Sequence, residues 1–229
     1  MKAIGILGGI GYKATSYFYE RLNYLFELKM GLGNSCPILL QSINFKKINA
    51  LLPNNANQIA ASIKPSVQFL DNQNIACVVL VNNTMHKALD VVLSENKTQI
   101  PYCHVGVLIT ESLKKTPYSK KVLILGTAFT MTDNYLKAFV PKVHNLVIPD
   151  MITIKKVDTL RQLFNHHVDF EQAKNCFDYL KKSNSTDTIF IIACTELSIA
   201  FANFEKNENW IDTLELQAEK AIDLLLQLQ

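Results

Sequence analysis

The sequence predicts an α/β protein of two pseudo-symmetric lobes, each a parallel sheet flanked by helices, with its active site in the cleft between them. Three observations lead there. Short apolar runs alternate with segments of helical period along the chain of 229 residues, the pattern of parallel strands joined by right-handed crossovers. The opening KAIGILGGIGY at 2–12 returns as KKVLILGTAFT at 120–130: lysine, apolar strand, glycine turn, helical stretch. Two further apolar runs end alike, CVVLVNNTMH at 77–86 and TIFIIACTEL at 188–197. Gly8 and Gly126 are 118 positions apart and Asn82 and Cys194 are 112 apart, a nearly constant offset that implies a duplicated unit. The first lobe is placed at 1–100 plus 208–229 and the second at 101–207.

The elements follow in order. Residues 3–7 read as a buried strand, and a glycine turn leads to a helix over 13–30, with Tyr17, Phe18, Leu22, Leu25 and Phe26 at helical spacing. Residues 37–43 form a second strand. Asn54 to Asn74 is helical, and Pro65 is expected to break or kink it. Ala76 to Val81 is a strand, Met85 to Leu93 a helix and Pro101 to His104 a short strand. After the second glycine turn come a helix at Asp133 to Val140, a strand at 145–148, helix at 156–182, a strand at 188–193 and an amphipathic helix at 211–228. Ligands in such sheets sit beyond the carboxyl ends of the strands. Four of those ends carry glycine or polar residues: 8–11, 82–86, 126–130 and 194–196.

Bulk composition narrows the function. Nearly half the chain is apolar and the formal charge is only +3, with lysines in scattered pairs, so a nucleic-acid partner has no support. No run approaches the length of a membrane span, which predicts no membrane partner. Five cysteines, an odd number without Cys-x-x-Cys spacing, suit free thiols in the reducing cytoplasm. No Asp, Glu, His or Cys cluster has metal spacing, and no metal is expected. His86 and Asp90, four apart on a helix, read as a surface hydrogen bond.

Gly9-x-Gly11-x-x-Ala14 follows a strand and precedes a helix, as in dinucleotide sites. The next strand ends Gln41-Ser42-Ile43-Asn44 without the acidic residue such a site uses, so the turn is read as one that lets backbone approach a small ligand. Cys194, at a strand end before a helix start, is open to two readings: a thiol whose pKa the helix lowers, or a small buried hydrophobe.

The set IGILGGIGYKAT (4–15), SINFKKI (42–48), VNNTMH (81–86), GTAFTM (126–131) and ACTEL (193–197) resembles the aspartate/glutamate racemases that work without pyridoxal phosphate. The resemblance runs from residue 4 to about residue 200. It implies a homodimer that needs no cofactor and binds a small amino acid or dicarboxylate. It also implies a thiolate base and a thiol acid on opposite faces of the α-carbon, exchanging roles with the direction of reaction. Carried over by position, Cys194 matches the second thiol and Glu196 the acid that follows it. Asn83 and Thr84 match the residues that hold the α-carboxylate, with Thr195 as their counterpart, and Gly9, Ile10 and Thr127 fall in the turns that border the substrate.

Besides the smaller departure of Tyr12 for the usual proline, two chemistry-bearing positions depart from the pattern. The first thiol falls at Asn82, and the carboxylate of a Ser-x-Asp-Phe motif falls at Asn44. Three readings stay open: a racemase of aspartate or glutamate working asymmetrically through Cys194 with Asn82 relaying a proton through a held water, a one-base decarboxylase or isomerase of a small diacid, and a carboxylate-binding protein without catalysis.

Overall fold

The computed structural model describes residues 2–96, 98–116, 118–166 and 170–228. The chain forms two compact units, Met1–Val105 with Leu214–Gln229, and Gly106–Thr213.

In the first unit, strands β1 (Ala3–Gly8), β2 (Ile38–Ser42) and β3 (Ile75–Leu80) make a parallel sheet of order β2-β1-β3. Every residue of β3 is buried, which is why it reads as a continuous apolar run rather than an alternating one. Helix α1 (Tyr12–Met30) follows β1, and α2 (Phe45–Asn49) and α3 (Ala56–Asp71) lie between β2 and β3. Past β3 come a 3-10 turn (Asn83–Met85) and α4 (His86–Glu95). The core of this unit gathers Leu7, Ile10, Ile59, Ile63, Leu80 and Met85 among others. The C-terminal helix α10 (Thr213–Leu226) is tied to α1 by the Arg21–Glu215 ion pair at 2.6 Å.

Pro65 lies inside α3 without breaking it, so of the two outcomes expected from sequence the break does not occur. Pro65 and Ala61, whose carbonyl loses its partner, are both exposed, so water takes the orphaned acceptor. A proline inside a helix costs about 3 kcal/mol. Ile59, Ile63, Val67 and Leu70, all buried on the opposite face, contribute roughly 1.5–3 kcal/mol each and outweigh it.

The second unit takes up the chain within α5 (Val105–Leu113) and builds a parallel sheet of order β5-β4-β6-β7. Its strands are β4 (Lys121–Leu125), β5 (Asn145–Leu146), β6 (Ile189–Ile192) and β7 (Trp210–Asp212). Helices α6 (Ala128–Thr132), α7 (Met151–His166), α8 (Phe170–Lys182) and α9 (Thr195–Ala200) flank it. The order β5-β4-β6 repeats β2-β1-β3. Beyond the strands' last residues the repeat continues: Val81 N donates to Leu7 O at 3.1 Å, and Ala193 N to Leu125 O at 2.7 Å.

Several expected elements differ. The segment 156–182 is two helices, α7 and α8, with the intervening 167–169 outside the described residues. The helix expected from Asp133 starts earlier, because Thr127 caps α6, and the chain then makes only a 3-10 turn at Leu136–Phe139. The strand expected at Pro101 to His104 reduces to one bridge between Tyr102 and Val78. Strand β7 replaces the start of the closing helix: Trp210 stacks on Phe190 at 4.3 Å and on Phe177 at 4.5 Å, and this aromatic packing holds the short strand against β6.

Gly9 shows what the first glycine turn requires. Its φ is 84°, and an added Cβ would collide with the carbonyl of Ile43 and lie 2.6 Å from Ser42 Oγ. Gly9→Ala is expected to cost about 2–3 kcal/mol from left-handed strain and the clash together. Gly11→Ala, where an added Cβ meets nothing within 4 Å, should change stability by less than about 0.5 kcal/mol. Urea midpoints of the two variants check this, and equal midpoints would show that the Gly9 turn carries no such constraint.

Candidate functional site

The nine residues singled out from sequence divide between the units. Gly9, Ile10, Asn82, Asn83 and Thr84 lie in the first, and Thr127, Cys194, Thr195 and Glu196 in the second. Within each unit they meet at the carboxyl ends of two adjacent strands, β1 with β3 and β4 with β6.

In the first unit the turn after β1 is pinned by Thr15, whose Oγ1 accepts from Gly9 N at 2.9 Å. Ile10 is fully buried. The half-buried Asn82 uses both ends of its amide. Nδ2 donates to the Ile10 carbonyl at 2.9 Å, and Oδ1 accepts from Met85 N at 3.2 Å, capping the 3-10 turn. Asn83 is buried beside it and Thr84 is half-buried. Asn44 plays a similar part, its Oδ1 accepting from Lys46 N at 3.0 Å to cap α2. Both chemistry-bearing departures from the motif pattern are therefore amides that terminate backbone turns.

His86 and Asp90 are not the pair their spacing suggested. His86 is fully buried, its Nε2 lies 3.3 Å from the Leu80 carbonyl, and its Nδ1 has no partner among the described residues. Asp90 Oδ1 instead lies 3.1 Å from His104 Nε2. The His86 side chain turns inward because α4 starts directly behind β3, where Gln217 of α10 donates to the Leu80 carbonyl at 3.3 Å and to the Cys103 carbonyl at 2.7 Å. Nothing local in the sequence signals this buried polar cluster, which draws in a residue from the far end of the chain.

In the second unit Thr127 Oγ1 accepts from Thr130 N at 2.9 Å and caps α6. Cys194 is 6% exposed and packs in the core with Leu160, Val157 and Leu197. Its thiol donates to Glu196 Oε2 at 2.9 Å, and Thr195 Oγ1 donates to the same oxygen at 3.2 Å. Burial, then the negative charge of Glu196 and the hydrogen bond to it, push the thiol well above its ordinary value of 9.0. Arg161 and the Glu196 backbone N–H act the other way. The lowered-pKa reading of this cysteine is thus corrected: α9 has only six residues, and its weak terminal field loses to desolvation and an adjacent carboxylate. The proton rests on sulfur.

Two residues that the sequence did not mark stand behind this cluster. Asp158 Oδ1 accepts from Ala128 N at 3.1 Å and from Arg161 Nε at 2.9 Å, while Oδ2 accepts from Gln162 Nε2 at 3.0 Å. Their i, i+3 spacing on a helical stretch was the available signal.

The fold is that of a known group of racemases. The chain belongs to the Asp/Glu/Hydantoin racemase family, whose profile matches residues 7–221. Its fold is similar to that of a proposed Asp/Glu racemase from Yersinia pestis, with 21% identity and a TM-score of 0.79 over 99% of this chain and 100% of that one. It is similar to an aspartate racemase homologue from Pyrococcus horikoshii OT3, with 25% identity and a TM-score of 0.75 over 98% and 99% of the two chains. An aspartate racemase from Picrophilus torridus gives 20% identity and a TM-score of 0.75 over 97% and 94%.

Proposed function

We propose that this member of the family is a racemase of acidic amino acids, aspartate or glutamate, that works by proton transfer at the α-carbon without pyridoxal phosphate. The observation that carries the reading is the buried Cys194 thiol hydrogen-bonded to Glu196 at 2.9 Å at the end of a parallel strand. Cys194 is the acid and base for one face. As acid, its S–H passes a proton to the planar enediolate carbon and leaves a thiolate. As base, it first passes its proton to the Glu196 carboxylate, and the thiolate then removes the α-proton. Asn83, Thr84 and Thr195 are assigned the substrate carboxylates, where donors stabilise the charge that develops on forming the enediolate. Gly9, Ile10 and Thr127 are assigned the bordering turns. For the opposite face Asn82 is assigned the relay of a proton through a held water, which makes the reaction asymmetric.

A second reading, a one-base enzyme on a small diacid, is favoured by one feature: both ends of the Asn82 amide are already engaged by Ile10 and Met85, and an amide is neither acid nor base near neutrality.

Incubation with L-aspartate, and separately L-glutamate, in deuterated buffer tests both. Loss of the α-proton signal in NMR together with the D-isomer is the expected result. Loss with retention of configuration supports the one-base reading. No loss with either substrate would sink the proposal and leave an enzyme acting on a different small diacid, or a carboxylate-binding protein without catalysis, as the better account.

A further inference from the structure

We propose that Asp212 is a positioning residue for the Cys194–Glu196 pair, acting through the hydroxyl of Ser198. This rests on the thiol acid–base reading above and extends it to β7. Ser198 lies on α9, within the same short segment as Cys194, and is 2% exposed. Its Oγ donates to Asp212 Oδ1 at 2.7 Å. Asp212 is the last residue of β7 and pairs in register with Ile192, the last residue of β6. The next residue, the buried Thr213, donates from Oγ1 to the Ile192 carbonyl at 2.9 Å. Consecutive residues of the chain therefore grip both ends of the segment 192–198, and Cys194, Thr195 and Glu196 lie between the two grips.

That segment needs an outside hold. Helix α9 has six residues, too few to stand on its own hydrogen bonds, because the first turn of a helix forms at a loss. Leu197, Ala200 and Phe201 bury one side of it in the core. Apolar packing is non-directional, whereas a hydrogen bond fixes a direction, and the Ser198–Asp212 bond supplies one. The Cys194 carbonyl accepts from Leu197 N at 3.0 Å and from Ser198 N at 3.1 Å, so a turn of α9 carries Cys194 with it. Glu196 sits in the first turn of the same helix. A reacting group displaced by about 1 Å can lose about 10²-fold in rate, so the tether bears directly on the pair.

The test is the rate at which iodoacetamide alkylates each cysteine at pH 8, read by mass spectrometry of the separate peptides. All five cysteines are buried, so each reports how readily its own surroundings open. Cys176 shares a core with Cys194 and is the control for loosening of the whole unit. Ser198→Ala removes the donor, and alanine is the better helix former, so α9 is not weakened by propensity. Cys194 should then alkylate about tenfold faster, the effect on local opening of losing a hydrogen bond to a charged acceptor, with Cys176 within about twofold of wild type. In the same variant α-proton exchange should slow about tenfold. Asp212→Asn keeps an acceptor for the hydroxyl, and asparagine serves as well as aspartate directly ahead of α10. Both of its rates should stay within about threefold of wild type. An unchanged Cys194 rate in Ser198→Ala overturns the proposal, and so does a rise that Cys176 shares equally, which would mark a bond that only stabilises. Exchange at the wild-type rate in Ser198→Ala overturns it as well. Absence of exchange in the wild type would instead sink the racemase reading, and the selectivity of alkylation for Cys194 would still decide whether Asp212 holds the pair.

Discussion

Cys194→Ala is expected to lower α-proton exchange by about 10²- to 10⁴-fold, the usual contribution of a positioned acid–base group. The substrate's fit should change far less, because Asn83, Thr84 and Thr195, not the sulfur, are assigned its carboxylates. KM within a few-fold of wild type alongside the lost turnover is therefore the expected pattern. Glu196→Gln separates the two members of the pair. It keeps the sulfur but removes the adjacent negative charge and the strong acceptor of the S–H, two of the three causes that hold the thiol high. Alkylation of Cys194 should then quicken while exchange slows, since the amide cannot take up the proton the thiol must release. If Cys194→Ala exchanged at the wild-type rate, the base would lie elsewhere and the pairing of sulfur with carboxylate would be structural only.

What the sequence revealed, and what it hid, follows from the range of the interactions involved. Parallel strands buried on both faces leave a local mark, a run of apolar residues, so β1, β3, β4 and β6 were legible. Their carboxyl ends were legible too, because polar side chains stand where the apolar run stops, and Cys194 and Glu196, which are hydrogen-bonded, are only two positions apart. The continuity of α3 across Pro65 was hidden because propensity is local, whereas the four buried side chains that hold the helix in place act through tertiary packing. Strand β7 was missed because three residues show no period, and its stability comes from Trp210 lying on Phe190 and Phe177. Asp158 and Arg161 gave only an ordinary helix-surface spacing. The hydrogen bond from Ala128 to Asp158 depends on α7 meeting α6, which no short window contains. Asn82 and Asn44 looked like lost chemistry, yet each amide caps a turn, a use that thiol or carboxylate spacing does not anticipate.

The second large effect is on stability in mild acid, and His86 is its source. Burial, then the nearby His104, lowers the His86 pKa from the ordinary 6.5 to about 3, against smaller opposing contributions from the Leu80 carbonyl and Asp90. A histidine with a depressed native pKa is neutral in the folded chain and takes up a proton on unfolding at any pH between the two values. The unfolded state therefore binds more protons, and stability rises with pH through this window. The contribution of His86 is complete above pH 6.5 and is lost progressively as pH falls from there toward 3, at about 1.4 kcal/mol per pH unit once well inside the window. Urea midpoints at pH 7, 6, 5 and 4 should fall steadily for the wild type. His86→Gln removes the titrating group and should flatten this dependence, even if the variant is less stable at pH 7 because the imidazole's packing against His104, at 4.6 Å between ring centroids, is gone. The slope is the informative quantity, not the absolute midpoint. Asp150 and Asp178, whose pKa values are lowered from 3.8, act in the same direction but only from about pH 5 downward, so the interval from pH 7 to 5 separates His86 from them. Parallel slopes for the two proteins would mean that His86 protonates without cost in the fold. The buried cluster of His86, Gln217 and the Leu80 carbonyl would then have to open to solvent far more readily than its packing implies.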